Sequence, residues 1–190
     1  GIYAKAYRLF DAGNNISYLF SVILLPLFAT VIKKGEDLQS IVKQSFSLML
    51  TMTCLIAIVC MFYSQNIMEL LYPMGENEIA STYTIRIEES SRILQILMGS
   101  FVSISITYIY GTLLTANGNL KQLNYVAGLG VLINVILNFL FIPIFKAQGA
   151  AYTSLCVQFA TCFIQFIIAK RTFNLKLGMK FWRSVFSFII

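Results

Sequence analysis

Five apolar stretches of membrane-spanning length, and the opening of a sixth, occupy almost the whole of this 190-residue chain. A helix needs roughly 20 mostly apolar residues to cross a bilayer, and a water-soluble core rarely repeats that length so often. The expected spans lie near 12–32, 45–63, 92–114, 122–145 and 149–169, with the start of another at 182–190. The fold class this predicts is an all-α polytopic membrane protein, a helical bundle. Charged residues make up 12% of the chain, well under the roughly one quarter of a soluble domain. The chain opens at Gly1 without an initiator Met and closes inside the apolar run WRSVFSFII, so a fragment of a longer protein is expected.

The connections carry their own signals. Lys33-Lys34-Gly35-Glu36-Asp37 is a short basic link that leads into an amphipathic stretch near 38–44. The longest polar region runs from about 64 to 90, and within it IMELLYP reads as an interfacial helix turn ended by Pro73. Ala116-Asn117-Gly118-Asn119 predicts a tight turn. Pro143 predicts a helix stop, followed by a very short hairpin and a new helix at Gly149-Ala150-Ala151.

A net charge of +6 would suggest nucleic acid in a soluble chain, but here the basic residues sit between spans and no nucleic-acid partner is expected. Of the 14 Lys and Arg residues, nine fall in the first–second, third–fourth and fifth–sixth connections, and five on the opposite side. The positive-inside rule therefore puts those three connections in the cytoplasm and the acidic second–third connection outside.

Polar groups are costly in hydrocarbon and turn toward protein or a wet cavity. In the first span Tyr7, Asp11, Asn14 and Tyr18 recur at i, i+4, i+7 and i+11 on one helical face, and Arg8 is placed to pair with Asp11. Alternatively, a helix beginning at Ala12 would leave Arg8 and Asp11 in interfacial water. Ser154, Gln158, Thr161 and Gln165 repeat the spacing in the fifth span, and Asn134 and Asn138 lie one turn apart in the fourth. Uncharged groups of this kind commonly join helices, but several partly polar helices together would suit a lumen for a sugar.

There is no His, the acids lie almost entirely in connections, and no nucleophile–base pair, metal cluster or phosphate loop is evident. Bond chemistry is not expected of this chain. Cys54, Cys60, Cys156 and Cys162 lie in apolar stretches and read as buried structural residues.

GIYAKAYRLFDAGNNISYLFSVILLPLFATVI at the start, and LLTANGNLKQLNYVAGLGVLINVILNFLFIPIFKAQGAAYTSL later, carry a family pattern. Its parts are a small-residue turn with a basic residue, a helix with spaced asparagines, "IP", then "GAA" opening the next helix. The chain resembles the carboxy-terminal half of bacterial polysaccharide biosynthesis proteins. These are the O-antigen and exopolysaccharide repeat-unit flippases of the multidrug/oligosaccharidyl-lipid/polysaccharide exporter superfamily. The resemblance covers most of the chain and is weakest over 64–90.

It implies two bundles around a central cavity open alternately to either side, with the first span here as the second helix of the carboxy-terminal bundle. It implies residence in the bacterial cytoplasmic membrane and transfer of polyprenyl-pyrophosphate-linked oligosaccharides to the periplasmic leaflet. The partners would be the lipid-linked oligosaccharide, membrane lipids and the remaining amino-terminal bundle of the same chain. No cofactor is expected, and a coupling ion would be a proton or Na⁺. For the anionic pyrophosphate the resemblance offers Arg8 and Lys5, with Asp11 positioning Arg8 or coupling an ion. Tyr7, Asn14, Asn15 and Tyr18 would face the sugar, with Asn134, Asn138, Gln158 and Gln165 as a further set. The rival readings are a drug or cation antiporter of the same superfamily, for which only Asp11 offers an intramembrane acid, and a polymerase or ligase of the same pathway.

Overall fold

The computed structural model describes residues 2–76 and 78–175; the expected span at 182–190 lies outside the described residues. Six helices follow one another: α1 (Ile2–Lys34), α2 (Leu38–Phe62), α3 (Ser64–Leu71), α4 (Ala80–Ala116), α5 (Leu120–Phe145) and α6 (Ala147–Phe173). Among the described residues there are no strands, and every helix but α3 is long and apolar enough to cross a membrane. The protein is an all-α polytopic membrane bundle.

Helical structure runs beyond the apolar stretches. α1 begins at Ile2 rather than Ala12, so Arg8 and Asp11 are helical residues. α4 starts at Ala80, which converts the second half of the expected polar connection into helix. At 1.5 Å per residue its 37 residues measure about 55 Å, against a hydrocarbon layer of about 30 Å. The extra turns hold because Ile87 is buried in the cluster with Phe10 and Met68 while Glu88, Glu89 and Arg92 stay exposed. Pro143 does not stop α5. It occupies the last turn, and the helix runs on to Phe145. The break falls at Lys146 alone, with φ 51°.

Two further turns are set by glycine, those after α1 and α4. Gly35 adopts φ 67°, donating its amide to the Ile32 carbonyl while the Glu36 amide reaches Val31. Gly118 adopts φ 79° and repeats this pattern, with its amide on Thr115 and the Asn119 amide on Leu114. Both are Schellman closures, which need a residue tolerant of the left-handed region. Asp37 then caps α2, accepting from the Ser40 amide at 3.4 Å.

α4 is the axis of the bundle. It packs against α1, α2, α3 and α6, whereas α5 rests chiefly on α6. Small residues allow this: Ser90, Ser91, Ser100, Ser103 and Ser105 are all buried along α4. Four of these hydroxyls donate to carbonyls one turn back, at Arg86, Ile87, Gly99 and Phe101. They therefore enter the interior with their donors satisfied.

Two apolar clusters stack along this axis. One gathers Phe10, Met68, Leu94, Leu97 and Phe101 toward the α3 end. The other gathers Phe28, Phe46, Tyr110, Leu113 and Leu114 toward the α1–α2 turn. All four cysteines are free thiols; Cys156 is exposed and the other three are half-buried.

Candidate functional site

α1 and α6 both flank α4 and scarcely touch one another. They are joined near the α3 end, where the Tyr3 and Ser154 hydroxyls lie 3.4 Å apart. The α4 surface between them carries Ile104, Thr107, Tyr108 and Gly111, all half-buried. A polar trough results, with α4 as its floor.

On the α1 wall, Ala6, Phe10, Ser17, Ser21, Leu24 and Phe28 form the seam against α4. The stripe of Tyr7, Asp11, Asn14 and Tyr18 lies beside that seam, because a helix advances 100° per residue. Tyr7, Asp11 and Tyr18 are exposed and Asn14 is half-buried. The rings form a ladder: Tyr3 stacks on Tyr7 at 5.6 Å, Tyr7 tilts on Phe10 at 5.3 Å, and Tyr18 meets Tyr108 edge-on at 6.0 Å. Asn15 turns back along α1, donating its amide to the Asp11 carbonyl at 3.0 Å.

Arg8 is exposed, about 200° around α1 from both Ala6 and Phe10, and so on the side of the helix opposite the α4 seam. The expected Arg8–Asp11 pair does not form, since among the described residues no ion pair joins them. Both side chains are exposed, and holding two flexible exposed groups together gains little. Lys5 belongs to a different constellation. Its ammonium lies 4.7 Å from the Tyr72 ring centre, and the Tyr72 hydroxyl donates to the Lys5 carbonyl at 3.4 Å. Beside it Arg86 clamps Glu78 with two bonds, Nε to Oε1 at 2.8 Å and Nη2 to Oε2 at 2.7 Å. This clamp holds the Glu78 carboxyl below its ordinary range. Lys5 and Arg8, expected together at the pyrophosphate, are thus divided: Lys5 joins the cap at the α3 end, and Arg8 stands exposed on α1.

The far wall also splits. Gln165 lies over Gly111, where a Cβ would come within 3.1 Å of its Oε1. Thr161 faces α5 instead, its methyl 3.1 Å from where a Gly130 Cβ would sit. The four-residue stripe on α6 is therefore not one functional face. Gln158 is half-buried, and its carbonyl accepts from the Thr161 hydroxyl at 3.1 Å. On α5, Asn138 donates to Asn134 Oδ1 at 2.9 Å, so these two amides form a pair.

Five oxygens are buried without a partner among the described residues: Asn14 Oδ1, Ser100 Oγ, Asn138 Oδ1, Thr153 Oγ1 and Gln165 Oε1. Each such group costs about 1–3 kcal/mol, and they come from α1, α4, α5 and α6. Tyr3 and Thr153 stand outside the expected set. Tyr3 had a legible signal, one turn before Tyr7; Thr153 is flanked by apolar and small residues and gave none.

The trough therefore presents uncharged acceptors and phenol rings, with the Asp11 carboxylate exposed on its α1 wall. Among the described residues no group of acids, cysteines or histidines could hold a metal ion. Amides, hydroxyls and phenol rings engage a ligand by hydrogen bonding and stacking. The family profile described as lipid II flippase MurJ matches residues 2–190. The chain belongs to that family. No curated protein matches the chain significantly. MurJ proteins are lipid-linked-precursor flippases of the multidrug/oligosaccharidyl-lipid/polysaccharide exporter superfamily, which agrees with the superfamily the resemblance indicated. MurJ flippases are transporters rather than catalysts, and the five helices of spanning length here agree with a multi-pass membrane protein. The match does not extend to the O-antigen branch.

Proposed function

We propose that this chain is part of the carboxy-terminal bundle of a flippase that carries a polyprenyl-pyrophosphate-linked glycan precursor across the cytoplasmic membrane. Lipid II is the favoured cargo, and the profile match across residues 2–190 carries that reading. In this reading the trough is the chain's share of a cavity completed by the amino-terminal bundle. Alternating access of two bundles around a central site requires positioning and no bond chemistry.

Arg8 would meet the pyrophosphate, with Lys5 guarding the outer mouth from the cap. A guanidinium is suited to phosphate because its forked donors match two oxygens at once. Tyr7, Asn14 and Tyr18 would receive the glycan, the phenol rings by stacking and the amide by hydrogen bonding. Asn134, Asn138, Gln158 and Gln165 would form the deeper polar wall, and Asn15 and Asp11 the exposed flank.

The O-antigen or exopolysaccharide repeat unit is the second cargo reading, supported by the "IP…GAA" pattern over residues 142–151. Depletion of the full-length protein, followed by assay of both lipid-linked pools on each leaflet, decides between them. Lipid II confined to the cytoplasmic leaflet, with surface glycan intact, is the expected result. Trapped repeat units with lipid II unaffected would replace the cargo assignment. Neither pool trapped, with altered sensitivity to cationic drugs, would overturn the flippase reading.

A further inference from the structure

The surface of α5 away from α6 takes no part in the trough. Among the 26 residues of α5 only Val126 and Gly130 are buried. At the end near the α4–α5 turn, Lys121, Asn124, Tyr125, Gly128, Leu129 and Leu132 line an open groove of about 740 Å³. A second groove of about 360 Å³ shares Tyr125 and Leu129 and continues between α5 and α6 past Ile164 and Ile168.

The residues change character in order along this groove. Lys121 stands at the helix start, Asn124 and Tyr125 follow one turn later, and Leu129 and Leu132 are apolar. From Lys121 to Leu132 the rise is about 16 Å. Tyr125 is 82% exposed, an aromatic with a polar tip at the boundary between charge and hydrocarbon. Gly128 makes the notch, because a Cβ there would meet nothing within 4 Å. Lys170 and Arg171 close α6 at the same end, since α5 and α6 form a hairpin. Among the described residues none of these three cations has an ion-pair partner. The carboxylates at that end, Glu36 and Asp37, sit on the α1–α2 turn, with Glu36 3.6 Å from Lys34.

We infer that this end of the α5–α6 hairpin binds an anionic phospholipid. The phosphate lies on Lys121 with Lys170 and Arg171, the glycerol region beside Asn124 and Tyr125, and an acyl chain over Gly128 against Leu129 and Leu132. A soluble anion would have no use for the apolar half of the groove. A docking apolar helix would have no use for the cations. Only an amphiphile with a negative head fits both halves. This site does not depend on which cargo the trough carries.

The test uses the full-length protein in detergent with equal parts phosphatidylglycerol and phosphatidylcholine, reading retained lipid by native mass spectrometry. Wild type should retain phosphatidylglycerol preferentially. The triple variant Lys121→Gln, Lys170→Gln, Arg171→Gln should lose roughly 100-fold in that preference, at roughly fivefold per basic residue near an anionic surface. Gly128→Leu should reduce retention of both lipids while the charges remain, because it fills the notch. No preference in wild type, or an unchanged preference in the triple variant, overturns the site. Gly128→Cys, with Cys54, Cys60, Cys156 and Cys162 replaced, should react with a lipid-soluble maleimide. Failure to react would mean that another part of the protein covers the groove, and would equally overturn it.

Discussion

Ser17 on α1 and Ser105 on α4 meet hydroxyl to hydroxyl at 2.7 Å, both buried in the seam between the two helices. The Ser105 hydroxyl also reaches the Phe101 carbonyl at 2.7 Å. A hydroxyl has one proton, so Ser105 donates to Phe101 and Ser17 donates to Ser105. The direction of this chain ties the wall of the trough to its floor.

A double-mutant cycle tests that tie. Ser17→Ala and Ser105→Ala should show a coupling of about 0.6 kcal/mol, the usual strength of an interhelical hydrogen bond in a membrane protein. Unfolding of the full-length protein in detergent measures it. Strict additivity would mean the two hydroxyls are neighbours without a bond.

Arg8→Ala should impair cargo translocation while leaving the amount of protein in the membrane unchanged, because its side chain is exposed and structurally unpaired. Leaflet-resolved assay of the lipid-linked precursor, with immunoblotting for abundance, separates the two effects. Normal translocation would remove Arg8 from the cargo-binding residues.

Gln165→Met exchanges a buried amide with an unpartnered oxygen for an apolar chain of similar length. Stability should rise by about 1 kcal/mol, since an orphaned polar group is removed. Translocation should fall if that oxygen serves the cargo. A variant that is more stable and fully active would exclude Gln165 from binding.

Gly149→Ala should destabilise the α5–α6 hairpin. A Cβ there would sit 2.5 Å from the Phe141 carbonyl oxygen and 2.9 Å from the Ile142 nitrogen, both backbone atoms that cannot swing aside. The expected loss is about 1–3 kcal/mol. Gly128→Ala, in open space, should stay within about 0.5 kcal/mol of wild type. Thermal unfolding of the two variants side by side checks the contrast.

The cap at the α3 end should respond to acid. Glu78 has its carboxyl lowered chiefly by the hydrogen bonds from Arg86, with a further contribution from the Gly75 amide. A lowered folded-state value means that the stabilisation is complete above the unfolded value of about 4.3. It is lost as pH falls through the lower folded value. Glu78→Gln should abolish this part of the acid sensitivity while leaving neutral-pH folding intact. An identical acid profile in the variant would show that the clamp contributes nothing to stability.

Length and apolarity were enough to establish the class of this protein, because spanning a bilayer is a property of each segment by itself. The turns at Gly35 and Gly118 were equally legible, since closing a helix in the left-handed region selects glycine locally. The residues of α1 that flank its packing seam followed from the 100° step, and Tyr7, Asn14 and Tyr18 do lie together there. Other relationships needed the tertiary structure. It made α4 the axis, sent Lys5 to the cap with Tyr72, turned Thr161 toward α5 while Gln165 faced Gly111, and left the Lys121–Leu132 groove open. The reason is physical. In a membrane, lipid and protein neighbours are equally apolar, so hydrophobic periodicity does not distinguish the inward face of a helix from the outward one. Which face turns inward is decided by close packing of small residues against large ones, as with Gly13 against Phe101, and that exists only once the helices have met.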